Sequence, residues 1–323
     1  MKTAYIRGLY LICCCLYFLP FITAQTGDTA GTDGQNFSRS IIRVNSSLVS
    51  VPVSVTDASG YRITDLRIED FRLTEDGQPA EISRLADSSQ SNLNIALLFD
   101  ISGSVNQNFE FEQNAAIEFL KKIWKEGDVV TIISFDEQPE VRLRSGDNLQ
   151  EAMWTLRQLR PTEKTTSFFD AVILAARLIG QSASEETRQA MIVISDGADN
   201  TSEASFAAAL AEIQRRDAVF YAINPSGASI HLNRINMRGQ ENLTAFANAT
   251  GGTVFVSEDA EKLDSIFDRM ASELRAQYLL NYYSLSQRMD GKYHRIEVSI
   301  PGRPDLHIRA RPGFLAVSRQ LSE

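Results

Sequence analysis

The chain has 323 residues, 43% of them hydrophobic, with 41 acidic against 32 basic side chains and a net charge of −9. That length can bury a sizeable core, and the acidic balance argues against nucleic acid or an anionic membrane as a partner. The only cysteines are Cys13, Cys14 and Cys15, so no disulfide framework supports the rest, which must hold itself by packing.

The chain opens with Lys2 and Arg7, runs apolar from Gly8 to Ile22, and reaches Ile22-Thr23-Ala24 before Gln25. This pattern reads as a secretory signal peptide over 1–24. The run is short for a membrane span of about 20 residues, and the cysteines sit inside the apolar core without the small residue that lipid attachment would need before them. A secreted or periplasmic protein is expected, with no membrane span after cleavage. Loss of Lys2 and Arg7 takes the basic residues from 32 to 30 against 41 acids, a net charge of −11. Residues 25–40, rich in Gly, Thr, Asp, Asn and Ser, should form a disordered arm.

Within 41–90, Val49, Val51, Val53 and Val55 alternate with polar residues except at Pro52. That predicts a half-buried strand at a sheet edge. A turn follows at Asp57-Ala58-Ser59-Gly60, and Phe71-Arg72-Leu73, Glu75-Asp76-Gly77 and Ile82 read as a hairpin closed at Asp76-Gly77. So few strands are not stable alone. Their partners are sought in 277–323, where Tyr278 to Tyr283, His294 to Ile300, Leu306 to Ile308 and Phe314 to Val317 read as strands, with turns at Met289-Asp290-Gly291 and Pro301-Gly302-Arg303-Pro304. The two ends are expected to pair into one small β-sandwich with residues 91–276 inserted in it.

In that middle part strands alternate with helices, which predicts a doubly wound, mostly parallel α/β sheet. Leu93 to Phe99 is apolar enough for a central strand buried on both faces. A helical stripe of Ala116, Ile117, Leu120, Ile123 and Trp124 follows, then a strand over Val129 to Phe135, an edge strand at Val141 and Leu143, and a helix near Leu149 to Leu159. Thr166 stands at the start of a helix with an apolar face of Phe169, Val172, Ile173 and Ala176. Next come a strand at Met191 to Ser195, a helix near Ala204 to Arg215, a strand at Ala218 to Ile223, and a Gly251-Gly252 turn into Val254-Phe255-Val256. Leu263, Ile266, Phe267, Met270 and Leu274 mark a last amphipathic helix that runs almost directly into the Tyr278 strand.

The central strand ends in Asp100-Ile101-Ser102-Gly103-Ser104, a carboxylate and two hydroxyls at alternate positions. They fall in the loop leaving the C-terminal end of the strand, where open α/β sheets place ligands. Oxygen donors without His or Cys suit Mg²⁺, Mn²⁺ or Ca²⁺ and argue against zinc or copper. An Asp or Ser after a strand also serves as a helix N-cap, so the triplet alone does not decide. The later segments bring Thr166 and Asp196-Gly197 to the same edge. The set Asp100, Ser102, Ser104, Thr166 and Asp196 resembles, in family order, the metal-ion-dependent adhesion site (MIDAS) of von Willebrand factor type A domains, a resemblance that covers Leu93 to Tyr278. It implies that the serines and the threonine bind the metal directly and the aspartates directly or through water. Few carboxylates leave such an ion under-neutralised, so a partner's Glu or Asp can complete its shell. The flanking Val53-Ser54-Val55-Thr56-Asp57, Asp70-Phe71, Glu75-Asp76-Gly77, Gln277-Tyr278 and Arg311-Pro312-Gly313-Phe314 resemble secreted bacterial, especially acidobacterial, relatives of those domains.

Catalytic schemes fit less well. A haloacid-dehalogenase-like phosphatase would carry Asp where Ser102 stands and a lysine between Thr166 and Asp196, where there is none. There is no G-x-S-x-G elbow and no phosphate-binding G-x-x-x-x-G-K. His231, His294 and His307 lack metal-ligand spacing, and the two in strands read as structural. Asp136, Glu137, Asp199 and Asn200 flank the metal edge and read as solvated loop residues, and Val105-Asn106-Gln107 after the serines gives no second metal site. Sequons at Asn36, Asn45, Asn200, Asn242 and Asn248 are chance matches if the bacterial resemblance holds. The expectation is a secreted, non-enzymatic protein-binding module that grips an acidic residue through Mg²⁺, or Mn²⁺ or Ca²⁺. The alternative is a scaffold in which the cation is purely structural.

Overall fold

Alternating valines open the first strand. Leu48–Thr56 (β1) turns Val49, Val51, Val53 and Val55 into one core. The computed structural model describes residues 48–87, 91–103, 109–181, 187–225, 234–257, 262–284 and 290–316, all in the unit Val44–Glu323. The leader 1–24, the arm 25–40, Ser104 and His231 lie outside the described residues.

Arg72–Glu75 (β2) and Gln78–Ala80 (β3) form the expected hairpin, with Glu75 opposite Gln78. Asp76 and Gly77 both have positive φ, 50° and 78°, the primed turn that Asp-Gly favours. The chain then leaves this sheet, and Ile82–Asp87 (β4) joins another.

The α/β layer follows as Asn92–Asp100 (β5), Phe109–Ile123 (α1), Val129–Phe135 (β6), Pro139–Gly146 (β7), Leu149–Gln158 (α2), Phe168–Gln181 (α3), Thr187–Ile194 (β8), Phe206–Arg215 (α4), Val219–Asn224 (β9), Arg234–Thr250 (α5), Val254–Val256 (β10) and Leu263–Arg275 (α6). The sheet order is β10-β9-β8-β5-β6-β7, parallel except for the edge strand β7. The expected doubly wound, mostly parallel architecture is what the chain adopts. Leu93, Ile95, Leu97 and Phe99 pack under α1, α2 and α6, while Ala96 and Leu98 face α3, α4 and α5.

Tyr278–Tyr283 (β11), Tyr293–Ser299 (β12), His307–Ala310 (β13) and Gly313–Leu315 (β14) complete two antiparallel sheets, β13-β1-β11-β4 and β14-β12-β2-β3. Each combines strands from both ends of the chain around a common core that includes Val51, Val53, Phe71, Leu280, Tyr282 and Ile296.

Three expectations need correction. β1 is not an edge strand but lies between β11 and β13. Pro52 is tolerated because β13 covers only Val53 to Thr56, and beyond its end the Ser50 carbonyl accepts a hydrogen bond from Arg311 instead of from a strand. Of the expected apolar face of α3, Val172 and Ala176 are buried, but Phe169 and Ile173 are only partly buried, and Phe168, Ala171, Ala175 and Ile179 complete the face. Helix α5 has no counterpart in the sequence-based expectation.

Candidate metal centre

Parallel strands deliver their last residues to one edge, and this edge collects Asp100, Ser102, Thr166 and Asp196. All four are buried, Asp100 completely. The Asp100 Oδ1 atom accepts from the Ser102 backbone N–H at 2.9 Å, and its Oδ2 accepts from the Ser195 hydroxyl at 2.7 Å. That hydroxyl in turn accepts from the Gly197 N–H at 3.0 Å, so the end of β5 is tied to the turn after β8. The Thr166 hydroxyl donates to Ser102 Oγ at 2.9 Å. Asp196 Oδ1 accepts from the Ala198 N–H at 2.9 Å. Ser104, the fifth residue of the pattern, lies outside the described residues.

Backbone contacts hold the three loops in place. Gly103 N–H donates to the Lys164 carbonyl at 3.1 Å, Thr162 N–H to Ile101 at 2.7 Å, and Asn200 N–H to Thr166 at 2.9 Å. The flanking acids have structural tasks. Asp136 accepts from Thr162 Oγ1 at 3.3 Å and pairs with Lys164 at 3.4 Å. Asp199 accepts from the Phe169 N–H at 3.2 Å, at the N-terminus of α3.

Burial pushes the Asp100 carboxyl up to about 6; hydrogen bonds from Ser102 and Ser195 oppose the rise, and the Asp196 charge adds to it. Among the described residues, no basic side chain is among the main influences on Asp100. A buried carboxylate without a counter-charge is costly, and a cation is what this donor set fits: two hydroxyls 2.9 Å apart and two carboxylates, all hard oxygen. These are Mg²⁺, Mn²⁺ or Ca²⁺ ligands by chemistry.

Two contributors were not anticipated. Gly239 of α5 lets the helix touch the Asp196 turn, since a Cβ there would stand 2.4 Å from the Asp196 carbonyl oxygen. Asn242, noted only as a sequon, donates to the Gly197 carbonyl at 3.3 Å. Glu112 of α1 is also buried at this edge. A signal for it existed: with Phe109, Ala116 and Phe119 it keeps the 3–4 residue spacing of the buried stripe.

No curated protein matches the chain. Among solved structures, a von Willebrand factor type A protein from Catenulispora acidiphila is 14% identical over 84% of this chain and 64% of its own, with a TM-score of 0.48. Proximal thread matrix protein 1 from the mussel byssus is 16% identical over 61% of this chain, with a TM-score of 0.48. The alignment spans about half of the mussel protein, 49%, and another structure of that protein has a zinc-occupied MIDAS motif. The sequence profile of the von Willebrand factor type A domain, by contrast, matches residues 94–269, more than half of the 323 residues and the whole span from β5 into α6. The chain belongs to the von Willebrand factor type A domain family.

Proposed function

We propose that this protein is a non-enzymatic, exported binding module in which Asp100, Ser102, Ser104, Thr166 and Asp196 hold a divalent cation that coordinates a Glu or Asp of a protein partner. Domains of this family commonly serve adhesion or protein binding and often carry a divalent metal at the MIDAS. The observation that carries the reading is the fully buried Asp100 carboxylate: the Asp196 charge acts on it, and among the described residues no basic side chain is a main influence on it. When bound, the ion supplies a Lewis-acidic position for an anionic oxygen. The chain's own groups hold it: Ser102 and Thr166 offer neutral hydroxyls, while Asp100, oriented by Ser195, supplies charge. Two carboxylates at most balance a divalent ion and the hydroxyls add no charge, so an open coordination position can still take an anionic oxygen, and a charged contact of this kind is strong when partly desolvated.

A purely structural cation is the weaker reading. The Asp100–Ser195 and Thr166–Ser102 hydrogen bonds already join the loops without it. A phosphatase is weaker still, because Ser102 stands where that chemistry needs an acid. Export rests on the leader pattern.

The test is calorimetry with Mg²⁺ and Mn²⁺. The wild type should bind, and Asp100→Ala should lose binding while keeping its far-ultraviolet circular dichroism. Unaltered affinity in Asp100→Ala would refute the site. Capture of a partner that is unchanged in chelator, or by Thr166→Ala, would refute the proposed grip.

A further inference from the structure

Glu112 is 1% exposed, and neither of its carboxylate oxygens has a hydrogen-bond partner. Buried polar groups in folded proteins almost always find a partner, so such an orphan calls for an explanation. Its place in the fold supplies one. Phe109, one turn earlier on α1, packs edge-on against Phe99 with ring centroids 5.5 Å apart, and Phe99 immediately precedes Asp100. The inner face of α1 therefore carries Glu112 to the end of β5, and the two charges that act on it are those of Asp100 and Asp196. Burial first, then those two carboxylates, push its carboxyl up to about 8. The charges of Asp100 and Asp196 reach Glu112, and among the described residues no basic side chain is a main influence on it.

We propose that Glu112 is a sixth protein group of the metal centre, a buried carboxylate that supplies a third negative charge to the cation from the α1 side. The inference rests on the metal reading above and adds to it a residue outside the five-residue pattern. A helix residue at that position ordinarily contributes an apolar side chain to the stripe. Here it contributes a buried acid with no hydrogen-bond partner for either oxygen. A group outside the direct ligands tunes affinity by orienting and neutralising what the ligands hold. With Glu112 present the ion binds more tightly.

Glu112→Gln keeps the shape and removes the charge. Titrated with Mg²⁺ and Mn²⁺ in a calorimeter, it should bind each at least tenfold more weakly than the wild type, while its melting temperature in chelator is unchanged or higher. Glu112→Asp, which retains the charge, should recover part of the affinity. A role in packing alone predicts equal affinity for the Gln variant and the wild type, and affinities within twofold would overturn the inference while leaving the metal site intact. Absence of binding by the wild type would overturn the metal reading and this inference together. Carbon-13 NMR of Glu-labelled wild type needs no variant: Mg²⁺ should shift one carboxyl resonance, and no shift at any Glu carboxyl would overturn the assignment.

Discussion

The two edges of the central sheet treat charge in opposite ways. Where the parallel strands begin, buried charges have partners inside the protein. Asp128, before β6, accepts from the backbone N–H groups of Leu93 and Lys125 and is paired with Arg275, which also donates to the carbonyls of Ile123 and Ser91. Glu273 accepts from the Tyr221 hydroxyl and pairs with Arg309 of β13, while Arg311 pairs with Asp217. Burial pushes Arg188 down to about 10, and it donates to the Leu274 carbonyl and to Gln277. The β1–β11–β13 sheet docks on this edge through these contacts. Where the strands end, Asp100 and Glu112 are buried, and among the described residues no basic group is a main influence on either. Charge kept for stability is paired within the chain; charge paired only by an external ion marks a site.

The largest expected effect breaks the first pattern. Arg275→Ala leaves Asp128 buried without its cation and strands two carbonyls, and the loss of stability in urea unfolding should be about 3–5 kcal/mol. Asp100→Asn, measured in chelator, removes no basic partner and should change stability by less than about 1 kcal/mol or raise it. If Asp100→Asn in chelator proves as damaging as Arg275→Ala, the contrast between the edges is wrong.

An intermediate effect separates packing from function. At Gly239 a Cβ would meet the Asp196 carbonyl oxygen at 2.4 Å and the Ala198 nitrogen at 2.9 Å. At Gly251, on the opposite edge and with φ of 79°, it would meet the Arg311 nitrogen at 2.6 Å. Each Gly→Ala change should cost about 1–3 kcal/mol through overpacking. Only Gly239→Ala should also weaken Mg²⁺ binding, by tenfold or more, because the Asp196 turn must move. Equal metal affinities in the two variants would show that the α5 contact does not set the site.

These positions also show how far the sequence could be read. β5 and β8 are apolar enough to be recognised as central strands, and their polar ends marked Asp100 and Asp196. The Asp76-Gly77 turn named its own hairpin. Helix α5 was invisible because its buried face is Gly239, Leu243, Phe246, Ala247 and Thr250, two large apolar side chains with small and polar ones between them. Gly239 reads as a helix breaker until Asp196 is seen against it. β1 was placed at an edge because Pro52 lacks an N–H, and only the short reach of β13 reveals why an inner strand accepts it. Glu112 was not singled out, although it keeps the 3–4 residue spacing of the buried stripe on α1, because spacing alone does not tell a buried acid from an exposed one.

The smallest effect lies in the sandwich, where pairing should reveal itself through pH. His294 in β12 faces Asp76 from Nδ1 at 2.8 Å and Asp290 from Nε2 at 3.3 Å, and it stacks on Phe314 with centroids 5.4 Å apart. Burial alone would lower its pKa, but hydrogen bonds to Asp76 and Asp290 outweigh burial and raise it. A histidine whose folded pKa is raised contributes its full stability below the unfolded value of about 6.5 and loses it as pH rises through the folded value. Asp76 is lowered, first by the Arg295 backbone N–H and then by His294, so its contribution disappears only as pH falls below the ordinary carboxylate range. The clamp is therefore strongest between these limits. Calorimetric melting of wild type and His294→Gln in chelator should show the wild type about 2–4 °C more stable near pH 5.5, with the gap closing by pH 8.5. The Arg275→Ala variant leaves His294 and its two partners untouched and serves as the control, with a gap that should stay flat over the same window. A His294 gap that widens with pH would mean that the ring is held neutral, and that pairing does not govern this end of the molecule.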